Sequence, residues 1–315
     1  MKKIILVYLL IIFFKSIGYT DSPESALFLN VPVGARASAL GGAYTSLASG
    51  IDGLYWNPAG LSALKSTEIL FFRNEYFEDI TQHYIGWTSY FEKIKSSIGL
   101  SFNMFDYGTF NRTILTSATS YAEQGTFTAK DYTAGLTWSP NMESKLKFGI
   151  TMNLIKSRIA EDEAKSIAFD IGWMAAAGSD EIPLLIGATI KNFGTKLKYS
   201  KVSEDLPLTQ NFGISSEFSF ENIFIIRPSV DFSFNFIDKE KDFMTGIEIE
   251  YDKKFSIQAG YNTINDAGSG FSLGCGFNLF NFQINYAYIP NRELDTSHKF
   301  SVLYRFIPNR SQNLK

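Results

Sequence analysis

The side chains that could carry covalent or metal chemistry are few: two histidines, His83 and His298, and one cysteine, Cys275, in 315 residues. A nucleophilic hydrolase needs a histidine held between a nucleophile and an orienting acid. A zinc site needs several His, Cys or carboxylate ligands converging on one point. No HExxH, GxSxG, CxxC or phosphate-loop pattern supplies either set. Gly268, Gly270 and Gly274 mimic a dinucleotide loop, but they lead into a strand pattern rather than a helix, so the context fails. Both histidines fall near predicted strand ends, the ordinary place for rim residues. Cys275 shares an apolar face with Phe271, Leu273 and Phe277, as a small hydrophobe would. The sequence therefore predicts no enzyme, no catalytic residue, no metal and no cofactor.

What remains is structural and electrostatic chemistry, and one stretch concentrates it. From Gly34 to Leu64 the chain reads GARASALGGAYTSLASGIDGLYWNPAGLSAL, rich in Gly and Ala, with Arg36 and Asp52 as its charges. Small side chains let a backbone lie close against a wall. Gly34 to Leu47 predicts a helix of small residues that Gly41 and Gly42 weaken or break. Trp56 is followed by Asn57-Pro58-Ala59-Gly60, with Asn, Pro and Gly at the first, second and fourth positions of a type I turn.

Composition narrows the setting in which such a stretch works. Charged residues make up 19% of the chain, below the roughly 25% of an average soluble domain. Aromatics are high at 16%, with 29 Phe and 16 Tyr. A net charge of -3 argues against a nucleic-acid partner, which selects basic surfaces. A single cysteine excludes an internal disulfide. Met1-Lys2-Lys3 and the apolar run Ile4 to Phe14 have the form of a signal peptide over residues 1–20. That run is shorter than the about 17–25 residues of a spanning helix. An exported chain with no later helix-length apolar stretch can still enter a membrane as a barrel.

From Thr67 onward the apolar period is two, the mark of strands. Ile98, Leu100, Phe102 and Met104 alternate with Ser97, Gly99, Ser101 and Asn103; Phe282, Ile284, Tyr286 and Tyr288 alternate with Gln283, Asn285 and Ala287. About 14 such segments fit between residues 67 and 306, most of the about 9–11 residues that a tilted membrane strand needs. Their connections alternate in length, with long ones at 106–128, 156–165, 194–207, 236–242 and 290–296. Outer-membrane barrels have short periplasmic turns and longer outer loops, so an even strand count places both chain ends on the periplasmic side. About eight strands already give an interior that side chains just fill. In a barrel of about 14, the apolar face must meet lipid and the polar face must line the lumen. Asp131, Asp170, Arg227, Asp231, Glu248 and Glu250 are the candidate lumen-lining charges, and Lys95, Lys147, Lys191, Glu217 and Arg305 are assigned to the same face. A lumen that wide conducts water unless something seals it, and the Gly/Ala stretch is the candidate seal. Its charge, Arg36, then has lumenal acids to pair with.

The predicted fold is all-β: a transmembrane antiparallel barrel with a small N-terminal hatch. Its parts are a signal peptide at 1–20, a plug at 21–66, the barrel at 67–306 and a tail at 307–315. Gly34, Arg36, Gly41 and Gly42 mark the small-residue part of the plug; Trp56, Asn57, Pro58, Ala59 and Gly60 mark its turn motif. The stretch from Gly34 to Leu64 resembles the N-terminal segment of the PorV/PorQ family and, more distantly, of the FadL long-chain fatty-acid transporters. The C-terminal AYIPNRELDTSHKFSVLYRF is similar to the closing strand of PorV-like proteins. The resemblance implies an outer-membrane hatch with Asn57, Pro58 and Ala59 at its motif, and leaves two roles open. One is an accessory subunit of type IX-like secretion, with secretion components or exported cargo as partners; the other is a conduit for hydrophobic small molecules such as fatty acids. The chain departs from the pattern where Ile307 to Lys315 follow Phe306, the natural last aromatic of such a barrel.

Overall fold

The computed structural model describes residues 25–76, 80–117, 120–179, 182–199, 202–221, 223–263, 269–290 and 296–306. The expected signal peptide, residues 21–24 and the expected tail lie outside them. The described strands are β1 (Thr67–Glu75), β2 (Thr81–Phe91), β3 (Ser96–Ser117), β4 (Ser120–Pro140), β5 (Leu146–Ile159), β6 (Asp162–Gly178) and β7 (Pro183–Gly194). They continue with β8 (Leu197–Lys198), β9 (Ser203–Glu204), β10 (Thr209–Ser216), β11 (Phe218–Phe220), β12 (Phe224–Asn235) and β13 (Lys241–Tyr251). The last are β14 (Phe255–Asn262), β15 (Phe271–Leu279), β16 (Phe282–Ile289) and β17 (Ser297–Phe306).

Each wall strand pairs antiparallel with its neighbours, and β1 with β17, and β7 with β10, complete the ring. β10 and β11 both pair with β12 across a break at Glu217, so together they form one stave. The result is a closed antiparallel barrel of 14 staves. β8 and β9 form a separate two-stranded hairpin, whose Leu197 is buried in a cluster with Phe28 and Leu29.

Alternation sets the two faces. Val302, Phe71, Ile85, Phe102, Ala134, Leu154 and Ile167 are successive cross-strand partners around half of the ring. The large side chains among them are exposed, forming an apolar outer belt. Between them, Thr137, Ser139, Thr151, Asp231, Glu248 and Ser301 are buried inside. A soluble protein would reverse those faces, because exposed apolar area is costly in water. β1, β2 and β17 are apolar on both faces: Leu70, Phe72, Tyr84 and Leu303 point inward and pack with Val33, Ile51, Leu54 and Leu61. That cluster is one apolar core within the barrel; a second joins Phe28 and Leu29 to Phe105, Ile155, Leu197 and Leu206.

Several expected connections are themselves strand. The stretch 106–128, read as a loop, continues β3 and β4, which run 22 and 21 residues. The 156–165 connection is likewise the paired ends of β5 and β6 about a turn where Ala160 has φ +54°. The Thr, Phe and Ile content of 109–128 favours strand. Both of its faces are mostly exposed, so no buried face imposes the alternation that would reveal it in the sequence. Lys95 also departs from expectation: it sits exposed in a left-handed turn at φ +45°, outside the lumen.

Candidate functional site

Residues 25–66 run through the barrel against the inner faces of its strands. The helix α1 (Ala35–Ala39) is one short piece of it. It stops where Gly41 and Gly42 take φ of +68° and +87°, a left-handed conformation that costs glycine little. The predicted helix from Gly34 to Leu47 is therefore cut short by the two residues expected to weaken it. Further on, Gly60 N–H donates to the Asn57 carbonyl at 2.8 Å, the bond of a type I turn. The turn continues as a 3₁₀ helix over Pro58–Ala63. Asn57 Oδ1 accepts from Ala59 N–H at 3.1 Å, so the side chain caps the helix it starts. Its Nδ2 donates to the carbonyls of Thr45 at 2.9 Å and of Trp173 on β6 at 3.1 Å. This fully buried amide thus ties two parts of the segment to the wall. Trp56 Nε1–H donates to the Val33 carbonyl at 2.8 Å and closes the segment on itself.

The approach is close because the wall lacks side chains where the segment touches it. Gly149 on β5 faces Gly172 on β6. Gly187 faces Gly213 between β7 and β10, and Gly246 faces Gly260 between β13 and β14. An added Cβ at Gly149 or Gly172 would fall under 3.0 Å from the Asn57-Pro58 turn. At Gly187 it would meet the Thr45 backbone, and at Gly246 or Gly260 the backbone at Leu40 and Gly41. A glycine inside a strand marks close backbone approach, and here three cross-strand pairs form three seats.

Charge fixes the same segment at other points. Arg36 Nε and Nη2 donate to the two oxygens of Glu248 on β13, at 2.6 and 2.7 Å. Arg36 Nη1 donates to Tyr44 Oη at 2.7 Å, and Tyr44 O–H donates to Asp52 Oδ2 at 2.8 Å. Glu248 also accepts from Arg227 Nη1 at 2.7 Å and Gln258 Nε2 at 3.0 Å. Arg227 reaches Glu250 at 3.1 Å and Glu217 at 2.6 Å. Backbone N–H groups of Tyr44 and Thr45 donate to Asp231 Oδ2 at 3.1 and 2.7 Å. Burial lifts the Asp52 carboxyl above the ordinary carboxylate range, against the pull of Arg36 and the Tyr44 hydroxyl.

Arg36, Arg227, Glu248 and Glu250 thus form one network, and Asp231 on β12 holds the segment nearby. Asp131 and Asp170 do not join it. Asp131 accepts from Tyr107 Oη at 2.7 Å, and Asp170 from Asn153 Nδ2 at 2.8 Å and Asn192 N–H at 2.7 Å. Gly34 carries φ +93° as the chain enters α1. A further buried acid, Glu68, was not foreseen from the sequence. It accepts from Ile51 N–H at 2.8 Å and pairs with Arg305 at 3.0 Å. The mixed faces of β1 hid it. The glycine seats were also missed, although their signal was present: glycine recurs on the polar faces of strands otherwise rich in β-branched and aromatic residues.

Two cavities flank the segment. One, of about 370 Å³, lies toward the end of β1 and the start of β17, bounded by Tyr55, Trp56, Tyr76, Lys191, Met244 and Lys299 among others. The other, of about 350 Å³, lies at the opposite end of the barrel among Arg36, Lys147, Glu217, Arg227, Glu250 and Arg305. His83 and His298 enter neither cavity wall; His298 Nδ1 lies 2.8 Å from Tyr286 Oη. Cys275 is exposed on the outer face of β15. Among the described residues no cluster of His, Cys, Asp and Glu could hold a metal ion.

The chain has the fold of known outer-membrane channels. The toluene transporter TodX of Pseudomonas putida superposes with a TM-score of 0.59 at 11% identity, covering 91% of this chain and 99% of that one. The monoaromatic hydrocarbon channel CymD gives a TM-score of 0.59 at 11% identity, with coverages of 88% and 98%. A Pseudomonas aeruginosa FadL homologue gives 0.54 at 9%, with 88% and 99%. These neighbours are transport proteins rather than enzymes, and at such identities the likeness concerns the fold. No curated protein matches the sequence. A family model does match, over residues 20–307, and the chain belongs to that uncharacterised protein family, UPF0164.

Proposed function

We propose that the protein is a non-enzymatic outer-membrane conduit for small molecules, exported by residues 1–20 and held closed by residues 21–66 acting as a plug. The observation that carries this reading is the placing of residues 25–66 on three glycine pairs, with a cavity on either side. A seat of backbone against backbone is suited to release and return, while the packing of Val33, Ile51, Leu54 and Leu61 on β1, β2 and β17 holds the closed state. Asn57, Pro58, Ala59 and Gly60 anchor the turn against β5 and β6, while Trp56 holds the plug compact. Arg36 binds the plug to Glu248, with Arg227 and Glu250 behind it.

A direct test locks the plug. Ser46 Oγ lies 2.9 Å from Ser215 Oγ on β10, close enough for a disulfide between cysteines placed there. In a Cys275→Ala background, Ser46→Cys with Ser215→Cys should abolish solute uptake into liposomes when oxidised and restore it when reduced. Equal uptake in both states would defeat the conduit reading.

A second reading, an accessory subunit of type IX-like secretion, is favoured by a different observation. β3 and β4 extend as a paired ribbon well beyond the length that spans a membrane, and the extension is mostly exposed. Such a ribbon offers exported proteins or secretion components a docking edge. Pull-down with the intact protein should recover them and a ribbon-deleted form should not; recovery by neither leaves the conduit standing alone.

A further inference from the structure

The lipid-facing wall carries two charges of opposite sign beside an open apolar groove. On β1, Arg73 and Glu75 share the outer face with Phe71, and Arg73 Nε donates to Glu75 Oε1 at 2.8 Å. Their side chains are 54% and 51% exposed. Among the described residues, Arg73 Nη1 and Nη2 donate to no protein group, so one edge of the guanidinium is open. The depth of the pair follows from its strand. The nine residues of β1 match the about 9–11 of a crossing strand. Glu75, the last of them, therefore stands at the membrane boundary, at the end of the barrel away from the Thr67–Phe306 pairing. Girdles of aromatic residues mark such boundaries. Here Tyr286 and Tyr288 on β16 flank His298, which faces Glu75 between β17 and β1.

The groove begins one step toward the membrane centre. Arg73 faces Phe300 and His83 across the strands; two residues inward, Phe71 faces Val302 and Ile85, and Ile85 faces Phe102. Between the two rows lies a depression of about 350 Å³, with Arg73 and His83 as its polar edge. Phe71, Phe102 and Phe300 are 55%, 43% and 48% exposed, so the apolar side is open to lipid. Lys130 and Asp106, on the same outer face, pair with each other at 2.6 Å and do not line the groove.

A bare anion gains little at this place, because Glu75 already answers Arg73. A headgroup that carries both signs meets both charges. Two guanidinium nitrogens fit a phosphate, and a carboxylate fits an ammonium. An exposed ion pair contributes little to stability, so parting it slightly to admit a headgroup costs little. We propose that this face is a site for one zwitterionic phospholipid of the phosphatidylethanolamine type. Its phosphate lies on Arg73 beside His83, its ammonium on Glu75, and an acyl chain fills the groove over Phe71, Phe102 and Phe300. The site is on the wall and outside the lumen, so it stands whether or not the barrel conducts.

Native mass spectrometry of the purified, detergent-held protein reads bound lipid directly. Phosphatidylethanolamine and phosphatidylglycerol with identical acyl chains are offered in equal amounts. One phosphatidylethanolamine should stay on each barrel, at least tenfold over phosphatidylglycerol. Arg73→Gln should lower that retention at least tenfold, and Arg73→Lys should restore part of it. Glu75→Gln should remove the preference between the two lipids without lowering retention of phosphatidylglycerol. Phe71→Ala should weaken both lipids alike. These side chains are exposed, so each variant should keep the heat-modifiable gel shift of the wild type. If Arg73→Gln nevertheless fails to fold, Glu75→Gln reads the proposal through the preference. Equal retention of the two lipids by the wild type would overturn it, as would retention indifferent to Arg73 or a variable number of lipids with no preference. Displacement by lipid A, which presents phosphate without an ammonium, would overturn the zwitterionic part.

Discussion

At the scale of single residues, Glu248 is the centre of the inner network. It is 1% exposed and receives donors from Arg36, Arg227 and Gln258. Removing it leaves two guanidinium groups facing each other without their shared anion. Breaking a buried pair in this way costs about 3–5 kcal/mol. Glu248→Ala should therefore lower the denaturant midpoint of the protein in detergent more than Arg36→Met does, because Arg36→Met leaves Glu248 its other two donors. In planar bilayers both variants should open more often than the wild type, and the same order should hold. Asp52 gives a pH signature. Its carboxyl lies above the ordinary range in the folded state because burial disfavours the ion. A group raised on folding stabilises most below its unfolded value, near 3.9 for an aspartate, and that contribution is lost as pH rises through the raised value. Seating of the plug should weaken across that interval, read as rising channel openings, and Asp52→Asn should flatten the response while keeping an acceptor for Tyr44.

At the scale of elements, the glycine pairs decide whether the inner segment can lie where it does. A methyl at Gly172 would fall within 3.0 Å of the Pro58 ring and collide with the Asn57 amide. Gly135 on β4 is a matched control, because the nearest atoms to a methyl there are side chains of the wall residues Ser101, Asn153 and Thr151. Gly172→Ala should leave the barrel folded on a heat-modifiability gel and raise basal conductance, while Gly135→Ala should leave conductance at the wild-type level. The ribbon made by β3 and β4 is separable in the same sense. Its exposed outer part is joined to the wall through register irregularities between Asp106 and Thr109. Excising residues 109–128 with a short turn in their place should leave barrel assembly intact, measured by the same gel shift.

At the scale of the whole molecule, the barrel is inside-out relative to a soluble protein. The outer belt through Phe71, Ile85 and Phe102 faces the membrane. A lysine on the lipid face of such a barrel costs about 2–4 kcal/mol at the bilayer midplane. Ile85→Lys should cost about that much when folding into lipid vesicles is titrated with urea, and Ile85→Ala much less. This belt was legible from β3 onward, where strands alternate; on β1 and β2 both faces are apolar and the period does not assign Phe71 and Ile85 to one of them. The interior was legible in part. The Gly/Ala stretch and its turn motif stood out by composition, and the lumenal acids stood out by period. Which acid meets Arg36 was not legible, because Asp131, Asp170, Asp231 and Glu248 all satisfy the same alternation. Ring geometry, set by the register of 14 staves, chooses among them.

The amino-acid order alone carries the number of staves, the face that most of them present, and the presence of an unlike segment before them. Those properties follow from local periodicity, which needs no knowledge of what is far away in the chain. The tertiary structure alone decided the three glycine seats, the Arg36–Glu248 bond, the Glu68–Arg305 pair, the continuation of β3 and β4 as a ribbon, and the groove that sets Phe300 beside Arg73. Each of these joins residues distant in sequence, or depends on whether a surface is covered. Closure of the ring is what sets those distances and that cover, and no period of two or of 3.6 encodes it.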